Sequence, residues 1–179
     1  MKTYSQYINE STKTKEEQLL EEVVADNTKN VEHLLKDGAD PNHISPHGSP
    51  LILSALGCYV KSRKTPKLYI IKLLIKYGAD VNFVNKAGIY PLLYASASGD
   101  PSIVKFLIQN NAIFKHECYE RSKKFATDTT EVQEYYKSYE GQKEILSHNL
   151  SAFPELQKVG LNPKIKEEYP DILKQTQWS

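Results

Sequence analysis

Cysteine is scarce in this chain: 179 residues hold two, Cys58 and Cys118, far apart. They make no disulfide framework and read as two reduced thiols in a cytosolic protein. A dominant charge is also missing. Lys and Arg number 23 against 22 Asp and Glu, a formal net charge of +1. That balance argues against gripping nucleic acid or an anionic membrane through a diffuse positive field. No apolar run approaches the roughly 20 residues that span a bilayer. The opening MKTYSQYINESTKTKEEQ has no apolar core, so it does not read as a signal peptide of the usual kind.

Catalytic signatures are absent too. There is no G-x-x-x-x-G-K-[ST], no G-x-G-x-x-G and no G-x-S-x-G. His43 and His47 flank the turn Ser45-Pro46 instead of sharing a helix face. His116-Glu117-Cys118 has no second ligand pair at metal-binding spacing. The acidic pairs Glu16-Glu17, Glu21-Glu22 and Glu167-Glu168 read as solvated faces. No catalytic residue, metal or cofactor is therefore expected. An enzyme would need side chains that converge only in three dimensions, in a pocket of the C-terminal third lined by Cys118, His116, Asp128 or His148.

What the chain does have is repetition. Residues 34–42 read LLKDGADPN, and residues 73–82 read LLIKYGADVN. Gly38 and Gly78 are 78 − 38 = 40 apart, and a weaker third copy follows at Asn111, 111 − 78 = 33 further on. Ile103-Val104-Lys105-Phe106-Leu107-Ile108 precedes it as Ile70-Ile71-Lys72-Leu73-Leu74-Ile75 precedes Gly78. The first half of the unit recurs as well: Gly48-Ser49-Pro50-Leu51 with Ser54-Ala55, then Gly88-Ile89-Tyr90-Pro91-Leu92 with Ala95-Ser96. Asp100-Pro101 is a helix start, with a capping carboxylate and a proline at the first helical position. Ile103, Val104, Leu107 and Ile108 then form one apolar stripe. Gly38, Gly78 and Asn111 sit just past such helices, where a left-handed residue ends them. Asp80 to Gly88 has turn residues without helical period, as a hairpin requires. No unit can bury its stripe alone, so the units are expected to stack.

A period near 33 with this order of elements resembles the ankyrin repeat, over about residues 17–115. The resemblance implies an all-α solenoid of helix-turn-helix units carrying hairpin fingers. The expected organisation is an N-terminal arm over 1–16, repeats at about 17–42, 43–82 and 83–115, a degenerate final repeat over 116–146, and a helical C-terminal extension over 147–179. The first repeat is expected to cap the stack, with Glu and Lys on its outward side. The second departs from the pattern. Counted between Asn42 and Pro50, its finger is one residue shorter than that between Asn82 and Pro91. About eight residues, CYVKSRKT over 58–65, are inserted between its helices. The Thr and His of the family's Thr-Pro-Leu-His element are lost, which predicts looser units offset by packing of Tyr90 and Tyr94. In the final repeat Val132, Tyr135, Tyr136 and Tyr139 fall on one stripe that reads as a core edge, with Asp128-Thr129-Thr130 as the cap. The extension carries Phe153, Leu156, Leu161, Ile165, Tyr169, Ile172, Leu173 and Trp178, too apolar for a free tail.

The resemblance further implies a non-enzymatic module that binds another protein at its fingertips and on the exposed face of its first helices. Carried over by position, the contacts are Ile44, Pro46, His47, Ser49 and Leu56 in the second unit, and Val84, Lys86, Ala87, Ile89, Ala97 and Ser98 in the third. Ile44, Leu56, Val84 and Ile89 are apolar at places expected to face water, an interface centre with a polar rim. The insertion's Tyr59, Lys61, Arg63 and Lys64 form a candidate secondary contact for an acidic partner. The expected protein is cytoplasmic, monomeric when free, and without nucleic acid or membrane as partner. Small standalone ankyrin proteins with a tyrosine-rich end also resemble bacterial effectors, which act in a host cell, and toxin-neutralising immunity proteins. That is the alternative purpose for the same scaffold.

Overall fold

The computed structural model describes residues 13–57, 67–125 and 130–175; the insertion and the cap at Asp128 and Thr129 lie outside them, as does Trp178. Within them the chain is all-α, and the only extended pairing is one isolated antiparallel bridge between Ile44 and Pro50. It divides into two compact units, residues 1–80 and 81–179.

The first unit begins with α1, Lys15–Ala25. Thr14 and Glu17 form a reciprocal cap: Thr14 Oγ1 accepts the Glu17 N–H at 3.2 Å, and Glu17 Oε2 accepts the Thr14 N–H at 3.0 Å. This box starts the helix two residues before the expected boundary at 17. Leu19 and Val23, four apart, are fully buried. Asp26, at φ 66°, ends the helix in the left-handed region, and α2 follows over Thr28–Lys36. The second helix pair is α3, Leu51–Ala55, and α4, Leu68–Lys76. Helix α1 packs on α2 and α3, and α4 packs on α2 and α3. Helix α3 is too short to persist alone, and every one of its residues is buried.

The second unit repeats the pair as α5, Pro91–Ser96, and α6, Pro101–Gln109. Asp100 caps α6 as expected, accepting the Ser102 N–H at 2.9 Å. Gly38, Gly78 and Asn111 stand at φ 85°, 95° and 65°, so all three end helices in the left-handed region. Then come α7, His116–Phe125, α8, Thr130–Lys137, and α9, Tyr139–His148. Helix α7 packs on α5, while α8 and α9 pack on α6. The final pair thus sits on the preceding pair, but its second member is two helices, broken where Ser138 caps α9 by accepting the Gly141 N–H at 3.0 Å.

The C-terminal segment folds back. A 3₁₀ turn, Leu150–Ala152, leads into α10, Phe153–Val159, then α11, Pro163–Glu168, and α12, Pro170–Gln175. Phe153, Leu156 and Ile165 are buried, α10 against α7 and α11 against α9. Gln142 joins this layer from inside. Fully buried, its Nε2 donates to the carbonyls of Tyr136 (3.0 Å) and Gly160 (2.9 Å), and its Oε1 accepts the Asn162 N–H at 2.9 Å.

One expectation about register is corrected. The two fingers have equal length. Ser45 N–H donates to the Ser49 carbonyl at 2.8 Å, and Asn85 N–H donates to the Ile89 carbonyl at 3.0 Å. These equivalent bonds are 85 − 45 = 40 residues apart, as are Asn42 and Asn82. Pro50 therefore stands opposite Tyr90 at the residue before the helix, and Leu51 takes the place of Pro91. No finger residue is missing, and the insertion is 40 − 33 = 7 residues long.

Candidate functional site

Two hairpin fingers and the helix ends behind them carry the residues expected to touch a partner. The first finger is fastened by its backbone. Besides the Ser45–Ser49 bond, Gly48 N–H donates to the Ser45 carbonyl at 2.8 Å, and Gly48 takes φ 77°, where glycine alone is unstrained. Ser45 and Ser49 point inward, and the Ser49 N–H donates to Ser45 Oγ at 3.3 Å. The tip is left outside: Ile44 is 40% exposed, and Pro46 and His47 are exposed.

The second finger uses an amide where the first uses a hydroxyl. Asn85, buried, accepts the Ala87 N–H at 3.0 Å and the Ile89 N–H at 2.9 Å on its Oδ1. Val84 is 52% exposed, Lys86 and Ala87 are exposed, and Ile89 is half-buried. The base of each finger is tied to the loop one copy further on. Asn42 Nδ2 donates to the Gly78 carbonyl at 2.9 Å, and its Oδ1 accepts the Asp80 N–H at 2.7 Å. Asn82 does the same with the Asn111 carbonyl (2.9 Å) and the Ile113 N–H (2.8 Å). Each Asn satisfies one donor and one acceptor that a loop would otherwise leave to water. That job explains why the motif repeats Asn at this point, which pattern reading alone did not explain.

Two of the expected contact residues are not at the surface. Leu56 is 1% exposed and Ser49 is buried. For Leu56 the cause is the one-residue register difference. In true register Leu56 matches Ser96, itself buried, not Ala97. Ala97 and Ser98 are half-buried at the end of α5, where Ser98 Oγ donates to the Ala95 carbonyl at 2.7 Å. Tyr59, Lys61, Arg63 and Lys64 lie outside the described residues.

Lys67, beside that insertion, has an internal task. It occupies the N-cap position of α4 without capping it. Its Nζ reaches back to donate to the carbonyls of Val23 and Val24, each at 2.8 Å, and lies 3.9 Å from Asp26 Oδ1. The side chain is 7% exposed. A cation there meets carbonyls of the last turn and the negative end of α1.

Among the described residues of the C-terminal third, several polar side chains pair with one another. Tyr90 OH donates to Glu117 Oε1 at 2.7 Å and lies 3.3 Å from Cys118 Sγ. With its one proton committed, the tyrosine oxygen accepts from the thiol. Tyr136 OH lies 2.6 Å from Ser96 Oγ, which itself donates to the Leu92 carbonyl at 2.7 Å, so Tyr136 is the donor. Burial pushes the Cys118 thiol up to about 11, which holds it protonated and poorly nucleophilic. Burial first, then the neighbouring thiol, raises the Tyr90 phenol far above its ordinary value. His116 lies by Glu120 at 3.5 Å, and His148 is exposed beside Asn111 at 3.4 Å. Asp128 lies outside the described residues. Among the described residues no three metal-binding side chains cluster, and no helix is long and apolar enough to cross a membrane.

The loss of the family's Thr-Pro-Leu-His polar residues is made good differently from expectation. Tyr90 supplies a buried hydroxyl as well as apolar bulk, and that hydroxyl ties α7 to the start of α5. Residues 59–108 match the family model for ankyrin repeats (many copies). No curated protein matches the chain.

Proposed function

From the premise that this chain is an ankyrin-repeat protein, we propose that it is a non-enzymatic module that binds a partner protein through its two fingertips. Ankyrin repeats generally mediate protein–protein interaction. The observation that carries the reading is the division of labour within each finger. Ser45 and Asn85 hold the backbone from inside, while the side chains of Ile44, Pro46 and His47, and of Val84, Lys86 and Ala87, stand exposed. A rigid loop presenting an apolar side chain beside a cation loses little conformational freedom on binding. The reading includes Ile89, Ala97 and Ser98 as further contacts and Tyr59, Lys61, Arg63 and Lys64 as a secondary contact. The finer reading is a cytoplasmic protein, monomeric when free, serving as a bacterial effector or as an immunity protein that neutralises a toxin.

Site-specific crosslinking tests the reading. A photoreactive amino acid replaces Val84 or Pro46 in the full chain, which is then irradiated in lysate of the source organism. Leu150, exposed but remote in sequence from either finger, serves as the control position. Crosslinking to one protein from positions 84 and 46 and not from 150 is expected. Equal crosslinking from all three positions refutes binding by the fingers.

A further inference from the structure

The first unit separates its charges. Helix α1 and its cap carry Glu16, Glu17, Glu21, Glu22 and Asp26. The outer stripes of the second helices are basic. On α2 the stripe is Lys29, Glu32, Lys36; on α4, 40 residues later in the same register, it is Tyr69, Lys72, Lys76. Both run i, i+3, i+7, so each lies along one helix face. The two helices pack side by side. Residues 67–79, which include all of α4, hold three lysines and no carboxylate.

These side chains stand outside. Lys29, Lys36, Lys72 and Lys76 are exposed, and Tyr69, 61% exposed, is the most exposed large apolar side chain among the described residues. They are also near one another. Lys36 bonds Glu32 at 2.9 Å, and Tyr69 and Tyr77 lie close enough to bear on its titration. Lys76 lies 5.7 Å over the Tyr77 ring and helps Lys36 draw the Glu32 carboxyl below its ordinary value. Tyrosine is a favoured interface anchor.

We propose that the Lys36–Tyr69–Lys72–Lys76 face of α2 and α4 is a second docking surface, and that its occupant is an acidic polypeptide segment carrying an apolar side chain for Tyr69. Charge complementarity argues for the occupant. With Lys29 on the same α2 stripe, four lysines against one carboxylate, Glu32, attract acidic side chains over a screening length of about 8–10 Å. A short acidic segment fits this local field. A long nucleic acid is disfavoured, because the chain as a whole carries only +1 and Glu32 sits within the lysine cluster. The face is on the second helices, so it stands or falls separately from the fingertips.

The test is fluorescence anisotropy with the full chain and a fluorescein-labelled peptide of glutamates interspersed with leucines. Saturable binding that weakens with added salt is expected. Lys36→Gln combined with Lys72→Gln and Lys76→Gln should lower affinity several-fold and flatten the salt dependence. Tyr69→Ala should lower affinity with the salt dependence kept. Val84→Glu with Lys86→Glu should leave peptide binding intact, which separates this surface from the fingers. All are surface changes, and unchanged circular dichroism and melting confirm the fold. The proposal is overturned if wild type does not bind, if the triple variant binds as well, or if poly(U) RNA or phosphatidylserine vesicles bind more tightly than the peptide.

Discussion

Lys67 and Asp100 stand at the same point of two successive copies, at the N-cap of α4 and of α6, and do opposite things. Asp100 serves its own helix by accepting the Ser102 N–H. Lys67 cannot accept such a bond, and its charge is unfavourable at the positive end of α4. It serves a different helix instead, closing the carbonyl end of α1 through Val23 and Val24. The repeat fixes where the backbone goes; what a side chain does there depends on what the preceding loop brings within reach. The contrast extends to the units. The first joins its helices through a buried cation, the second through buried neutral groups, with Gln142 at the centre.

That contrast can be broken at its strongest joints first. Gln142→Ala should cost about 3 kcal/mol in urea unfolding, because it leaves the Tyr136 and Gly160 carbonyls and the Asn162 N–H unpaired. A loss below about 1 kcal/mol would mean that water replaces the amide. Lys67→Met keeps the packing and removes the charge-assisted bonds, and should cost about 2 kcal/mol by the same assay. Lys67→Asp sharpens the point. It supplies the cap that α4 lacks, yet should destabilise as much as Lys67→Met or more, since Val23 and Val24 lose their donor and Asp26 gains a like charge. A net gain would show that the local cap dominates. Asp100→Ala should cost only about 1 kcal/mol, the usual worth of a cap.

The smallest effect is a pH dependence in the second unit. The bond from Lys158, then the His116 N–H, holds the Glu155 carboxyl below its ordinary 4.5. A depressed carboxylate contributes stability above its unfolded value, lost as pH falls through the folded one. Wild type should therefore lose stability below pH 4.5 more steeply than Glu155→Gln, which has no charge to lose. Superimposed acid-unfolding curves would remove Glu155 from the account.

The helices that follow the repeat were legible. Asp100-Pro101 marked α6, the apolar stripes marked α2 and α4, and Gly38, Gly78 and Asn111 marked their ends. The register of the second copy was not. Pro50 and Pro91 invite alignment with each other, but proline position does not set a hairpin; the Ser45–Ser49 and Asn85–Ile89 bonds do. That one-residue slip put Leu56 on the surface when it belongs in the core. Thr14-x-x-Glu17 is a capping box that the sequence itself displays. The pairing of Tyr90 with Glu117 and the reach of Lys67 to Val23 span 27 and 44 residues, and nothing local signals either. Of the contact set, Ile44, Pro46, His47, Val84, Lys86 and Ala87 are exposed because turn chemistry is local, but Ser49 is buried and Ile89 half-buried within the same fingers, and exposure at the helix ends depended on register.

Affinity capture from lysate of the source organism most directly tests binding by the fingers. The baits are the wild-type chain and the same chain carrying Val84→Glu and Lys86→Glu. The account predicts one protein retained by wild type and lost from the variant, with equal melting temperatures because both side chains are exposed. Equal retention by both baits, or a variant that melts far lower, would contradict it.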